Sequence, residues 1–208
     1  MNSKGLIRPG ESDSFYFTAL SSNNRKGVFF PMELLLHVCC APCSILSWPF
    51  LEEEHGFGVT GYFFNPNIHP YREFKKRMGA LQKLCTEEGR SIIWETDYLL
   101  ESFLQAVVGQ GKKRCQLCYE MRLGQTAQKA KDSGFKHFST TLLISPYQDQ
   151  RLICQLGERI GQDLGIDFVA LDLRHLFQQS IKISREKNIY TQGYCGCIYS
   201  EQERYAPK

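Results

Sequence analysis

From Leu34 onward the chain alternates short apolar runs with stretches that are apolar on one side only. That is the pattern of strands followed by helices. Leu34 to Val38 reads as a buried strand, and Ala41 to Glu54 as a helix. Val59 to Phe64 is a second strand, followed by a strongly amphipathic helix from Tyr71 to Glu88. A weak third strand, Ser91 to Trp94, leads to a helix near Leu99 to Val108. Cys115 to Ser133 is helical, His137 to Ile144 reads as a strand, and Tyr147 to Leu164 as a helix. Asp167 to Ala170 is a last short strand before an irregular, helical C-terminal third. Strands alternating with helices predict an α/β fold, a mainly parallel sheet with helices on both faces. Ligands of such sheets sit beyond the carboxyl ends of the strands.

Residues 1–31 have another texture, rich in Ser, Asn and Gly with scattered charge. They are expected to form a poorly ordered leader, with residues 32–208 as one α/β catalytic domain. A length of 208 residues with 42% hydrophobic side chains suffices to bury a full core. No apolar run approaches the roughly 20 residues needed to cross a bilayer. The N-terminus also lacks the apolar centre of a secretory signal. The expectation is a cytoplasmic protein with no membrane partner. A net charge of +3 permits an acidic partner without requiring one.

The cysteines change this picture. There are nine, an odd number, and a reducing cytosol disfavours structural disulfides. They are also clustered: Cys39, Cys40 and Cys43; Cys115 and Cys118; Cys195 and Cys197. Only Cys85 and Cys154 stand alone, each within a helical pattern where a small buried hydrophobe is the common outcome. Clustering of this kind points to metal or redox chemistry.

His37-Val-Cys-Cys-Ala-Pro-Cys43 joins a strand to a helix. Thiolates at a helix N-terminus face unpaired amides and the positive dipole end, which lowers their pKa. Three buried, inert thiols are the bland alternative. Arg114-Cys-Gln-Leu-Cys-Tyr119 opens another helix and puts two sulfurs on one face. That spacing suits a dithiol, half a zinc site or half an iron–sulfur site. Joined to Cys39 and Cys40, it supplies four thiolates, the usual number for zinc or for a cluster. Spacing therefore predicts a metal site without identifying the metal. In Cys195-Gly-Cys197 a disulfide would close a small, strained and easily reduced ring. The same pair can instead hold a metal, or be two inert thiols.

Weaker signals lie on the same edge. Asn65-Pro-Asn-Ile-His-Pro70 follows a strand, so His69 is a candidate substrate contact. Ser145-Pro-Tyr-Gln148 reads as a helix cap, with Ser145 capping and Gln148 reaching back. The basic runs at 75–77 and 112–114, including Lys112 and Lys113, are candidates for phosphate contacts with nucleic acid. Most such runs are simply solvated.

Taken together, the motifs at 37–43, 64–70, 114–119, 139–148 and 194–200 resemble the QueH-type, cobalamin-independent epoxyqueuosine reductases. The resemblance runs from Leu34 to about Tyr199. It implies a fold like that of the adenine-nucleotide α-hydrolases, although the glycine-rich pyrophosphate loop of ATP-using relatives is missing here. It also implies a 4Fe–4S cluster on Cys39, Cys40, Cys115 and Cys118, with a redox-active pair at Cys195 and Cys197. An additional mononuclear iron would stand beside the cluster. Cys43 occupies a position that is aspartate in some family members, which suits a ligand of that second metal, with Cys195 and Cys197 as further candidates. The implied substrate is tRNA carrying epoxyqueuosine, reduced to queuosine in the final step of queuosine biosynthesis with electrons from an unidentified donor. The competing expectations are a tRNA sulfur-transfer enzyme, marked by ATP dependence, and a zinc-binding non-catalytic module.

Overall fold

A computed structural model describes residues 32–207 of the chain. The expected leader at 1–31 lies outside the described residues. Five strands form one parallel sheet in the order β3-β2-β1-β4-β5. They are β1 (Met32–His37), β2 (Phe57–Phe63), β3 (Ile92–Trp94), β4 (His137–Thr140) and β5 (Asp167–Phe168). The helices are α1 (Ala41–Glu53), α2 (Tyr71–Glu88), α3 (Leu100–Val107), α4 (Arg114–Asp132), α5 (Gln150–Leu164), α6 (Phe177–Glu186) and α7 (Ile198–Tyr205).

β1 is central, and its apolar run serves both faces because successive side chains alternate. Leu34 and Leu36 pack with Ile45, Trp48 and Leu51 of α1 and with Phe74, Leu81 and Leu84 of α2. Leu35 points the other way, into a core with Leu123 and Ala127 of α4 and Ile153 and Leu156 of α5. The alternation of strands and helices expected from the sequence is thus the observed architecture. Among the described residues no helix is long and apolar enough to cross a membrane.

β2 begins at Phe57 rather than Val59 and β5 ends at Phe168 rather than Ala170, and the larger differences from expectation are at the end of β4 and the start of α5. The expected strand His137–Ile144 stops at Thr140, whose side chain accepts a hydrogen bond from Leu142 N at 3.1 Å and starts a 3-10 turn over Thr141–Ile144. The following helix begins at Gln150 rather than Tyr147, and its cap is Asp149, which accepts from Leu152 N at 3.0 Å. Ser145 precedes Pro146, which disfavours helical backbone there. Its hydroxyl instead accepts from Tyr147 N at 3.3 Å. Gln148 does not reach back; its Oε1 accepts from the Tyr119 hydroxyl at 2.9 Å.

α5 lies close to β5 because two of its residues lack a Cβ. A Cβ at Gly157 would stand 2.5 Å from the Phe168 ring, and one at Gly161 would stand 2.6 Å from the Ile166 carbonyl oxygen. Gly161→Ala is expected to lower unfolding stability by about 1–3 kcal/mol through overpacking. At Gly124, within α4, a Cβ meets nothing within 4 Å. Gly124→Ala is therefore expected to stabilise by up to about 1 kcal/mol through helix propensity. Denaturant titration of the two variants measures the contrast, and equal effects would contradict this packing account.

Candidate metal centre

β1 and β4 are neighbours, yet the chain leaves β1 toward β2 and leaves β4 toward β5, on opposite sides. Connections that diverge in this way open a crevice at the carboxyl ends of the two strands. The segment after β1 brings Cys39, Cys40 and Cys43 there. Their sulfurs all lie within 4.8 Å of one another, and those of Cys39 and Cys40 are 3.5 Å apart. Cys40 is the N-cap of α1 with extended backbone, Pro42 sits in the first turn, and Cys43 follows it. The segment after β4 completes the walls. Cys39 N donates to Thr141 Oγ1 at 3.1 Å, and that hydroxyl donates to Cys39 Sγ at 3.3 Å. From the C-terminal part, Gln192 Nε2 donates to Cys40 Sγ at 2.9 Å.

The three thiols titrate together. Hydrogen bonds from Cys40 and Cys43 hold the Cys39 thiol well below the usual range, against burial, with Arg122 and Thr141 adding to the effect. Burial and the neighbouring Cys39 push Cys40 up to about 12. Hydrogen bonds with Cys39 and Cys40 raise Cys43 in turn. Within the trio Cys39 is therefore the sulfur that ionises most readily.

A second group of thiols lies across Arg122. Cys115 and Cys118 occupy the first turn of α4. Each is acted on by the charge of Cys195. Cys197 is acted on by Cys118. Burial pushes Cys118 up to about 11. The Cys197 thiol hydrogen-bonds to Cys195 and lowers it to about 5, while Cys197 is raised in exchange. Cys197 Sγ also caps α7, accepting from Ser200 N at 3.4 Å. The structure therefore gathers Cys39, Cys40 and Cys43 closely. Cys115 and Cys118 lie outside that tight trio, and both feel the charge of Cys195.

Arg122 links the two groups. It is buried, 3% exposed. Its Nη2 donates to Asn65 Oδ1 at 3.1 Å, its Nε approaches His37 Nε2 at 3.3 Å, and its Nη1 approaches Cys118 Sγ at 4.0 Å. His37 Nδ1 is 2.8 Å from Thr140 Oγ1, and burial, with Arg122 beside it, lowers this ring to about 3. His37 is therefore neutral at neutral pH. Neither Arg122 nor Thr141 is evident as a site residue in the sequence. The one available signal is that Arg122 follows Cys118 by four residues on α4, one helical turn.

The loop that carries Cys195 and Cys197 is held down by α2. Arg77 is 1% exposed and pairs with Glu73 at 2.7 Å. Its Nη1 and Nη2 donate to the carbonyls of Cys195 and Tyr194 at 2.9 and 3.0 Å. Tyr190 donates to the other Glu73 oxygen at 2.5 Å. Gly196, at φ 129°, has its backbone in a region that favours glycine, and its carbonyl accepts from His69 N at 2.8 Å. Arg77 therefore leaves the expected basic run at 75–77; it is internal because it shares the buried face of α2 with Glu73, Phe74 and Leu81. Lys75 and Lys76 are exposed, as are Lys112 and Lys113. Arg114 pairs with Glu203 and lies over the Tyr199 ring.

His69 is 1% exposed and packs against the rings of Tyr98 and Phe103. Neither of its ring nitrogens has a hydrogen-bond partner among the described residues, and burial lowers it to about 4. Cys85 is buried in the core between α2 and the sheet, and Cys154 is half-buried on α5. All nine cysteines are free, so the disulfide expected at Cys195 and Cys197 is not supported.

The donors fit a soft metal. Two thiolates on one ion at about 2.3 Å each stand at most about 4.6 Å apart, close to the 4.8 Å that bounds the trio. Buried sulfur donors select zinc, iron or an iron–sulfur cluster over magnesium or calcium.

Residues 34–203 match the family model described as "Epoxyqueuosine reductase QueH". The chain is 41% identical over 174 residues to the epoxyqueuosine reductase QueH of Dehalococcoides mccartyi, covering 83% of this chain and 94% of that one. It is 35% identical to the protein of the same name from Thermotoga maritima, covering 82% and 91%. Among solved structures it is similar to the U34-tRNA thiolase NcsA from Methanococcus maripaludis with its [4Fe-4S] cluster. There the TM-score is 0.55 at 14% identity, covering 81% of this chain and 61% of that one, a likeness of fold alone.

Removing Arg77 leaves Glu73 buried without its cation and frees two carbonyls of the cysteine loop. Arg77→Ala is expected to cost about 3–5 kcal/mol of unfolding stability. It should also speed amide hydrogen exchange across 190–197. Unchanged exchange in that segment would show that the loop is held by other contacts.

Proposed function

The chain belongs to the epoxyqueuosine reductase QueH family, and on that basis we propose that it converts epoxyqueuosine in tRNA to queuosine. The observation that carries this reading is the family match across residues 34–203, which includes every clustered cysteine. The reaction takes two electrons and two protons. Both carbon–oxygen bonds of the epoxide break, a carbon–carbon double bond forms, and the oxygen leaves as water.

In this reading Cys39, Cys40, Cys115 and Cys118 hold a 4Fe–4S cluster, Cys43 serves an additional mononuclear iron, and Cys195 and Cys197 are the redox-active pair. When bound, such a cluster supplies electrons singly, and a second iron supplies a Lewis acid for the departing oxygen. The remaining roles fall to the chain. Thr141 and Gln192 orient the sulfurs of Cys39 and Cys40. Cys195 and Cys197 sit together on one loop, the Cys195 thiol lowered by its neighbour and the Cys197 thiol raised in exchange, so Cys195 is the more readily ionised sulfur of the pair. Arg77 and Gly196 fix the loop that presents this pair. The unpartnered nitrogens of His69 are buried polar groups available to the nucleoside. Lys112 and Lys113 are exposed for tRNA phosphates. A cytoplasmic address suits thiols that must stay reduced.

The test is anaerobic reconstitution with iron and sulfide, followed by an assay on epoxyqueuosine-containing tRNA with a chemical reductant in place of the unidentified donor. Queuosine should form only with reconstituted protein. Cys39→Ala or Cys118→Ala should lose both iron and turnover, whereas Cys85→Ala should keep both. An iron-loaded protein that thiolates tRNA with ATP, or a colourless zinc-loaded protein, would replace this reading.

A further inference from the structure

The two most buried arginines of the site differ in one respect. Arg77 has its carboxylate, Glu73, at 2.7 Å. Arg122, 3% exposed, has no carboxylate within 4.0 Å among the described residues; every ion pair there uses another cation. Its partners are an amide oxygen, a neutral imidazole and a sulfur. A buried cation without a carboxylate is costly unless other anions face it. Sulfur takes that place: Cys118 Sγ lies 4.0 Å from Arg122 Nη1, and the guanidinium also lowers the thiols of Cys39 and Cys195.

We propose that Arg122 is the counter-ion of the thiolate-held metal site, a fixed positive charge set between its two groups of cysteines. This rests on the cofactor reading above. The guanidinium has no carboxylate partner among the described residues, and the sulfurs that would bind metal as thiolates are the anions that stand around it. Each electron taken up by the bound group adds negative charge, so Arg122 favours the reduced state over the oxidised one. The fork geometry serves a second end. With Nη2 on Asn65 and Nε toward His37, the charge is held in place by the segments that end β1 and β2 and cannot swing out to solvent.

The experiment compares wild type, Arg122→Met and Arg122→Lys, each metal-free and each reconstituted anaerobically with iron and sulfide. Three readouts are taken: thermal unfolding of the metal-free protein, loss of iron to a chelator, and the midpoint potential in a dithionite titration followed by absorbance. Metal-free Arg122→Met should unfold at or above the wild-type temperature, because a buried charge with no carboxylate partner has been removed. Once loaded, it should release iron about tenfold faster or more. Its midpoint potential should be more negative than that of the wild type. Arg122→Lys, which keeps the charge, should stay near wild type in potential. The proposal is overturned if Arg122→Met leaves the potential and the iron retention unchanged. It is equally overturned if that variant destabilises or unfolds the metal-free protein, since the guanidinium would then be supporting the empty site through Asn65 and His37. A wild-type protein that takes up no iron would instead sink the cofactor reading itself.

Discussion

β1 pairs with β4 in parallel register, Leu34 against His137 through His37 against Thr140, while the chain departs from the two strands in opposite directions. No covering helix can close the gap left between those departures, so the residues just past each strand end face one another. Past β1 come Cys39 and Cys40; past β4 comes Thr141, which both accepts from Cys39 N and donates to its sulfur. The chemistry of the protein follows from that pairing. A shift of register by one residue would turn Leu34, Leu35 and Leu36 to the wrong faces and carry the thiols away from Thr141.

The site is also a problem of buried charge. Arg77 and Arg122 bring two guanidiniums into an interior rich in sulfur and poor in carboxylates. Arg77 is neutralised by Glu73, and this pair ties the loop of Cys195 and Cys197 to α2. Arg122 is left for the sulfurs. The fold therefore uses a carboxylate pair where the cysteine loop must be presented and leaves a guanidinium to the sulfurs where a metal would bind.

Much of this was legible in the sequence, for local reasons. The strand-then-helix alternation follows from side-chain period, and the position of Cys39, Cys40 and Cys43 at a strand end follows from it directly. What could not be read depends on tertiary placement. Lys75-Lys76-Arg77 looks like a solvated run, and only packing turns Arg77 inward beside Glu73. The stop of β4 at Thr140 comes from a side-chain cap that competes with the strand. That Cys115 and Cys118 lie beside Cys195 depends on how the C-terminal segment folds back, which no spacing encodes.

The central claim is that the crevice between the ends of β1 and β4 is an iron site held by thiolates. It is tested most directly by anomalous scattering at the iron absorption edge from crystals of anaerobically reconstituted protein. The account predicts an iron peak at that crevice, bonded to the sulfurs of Cys39 and Cys40 and bordered by Arg122. An iron peak elsewhere, or a crevice that holds zinc while iron binds nowhere, would contradict it.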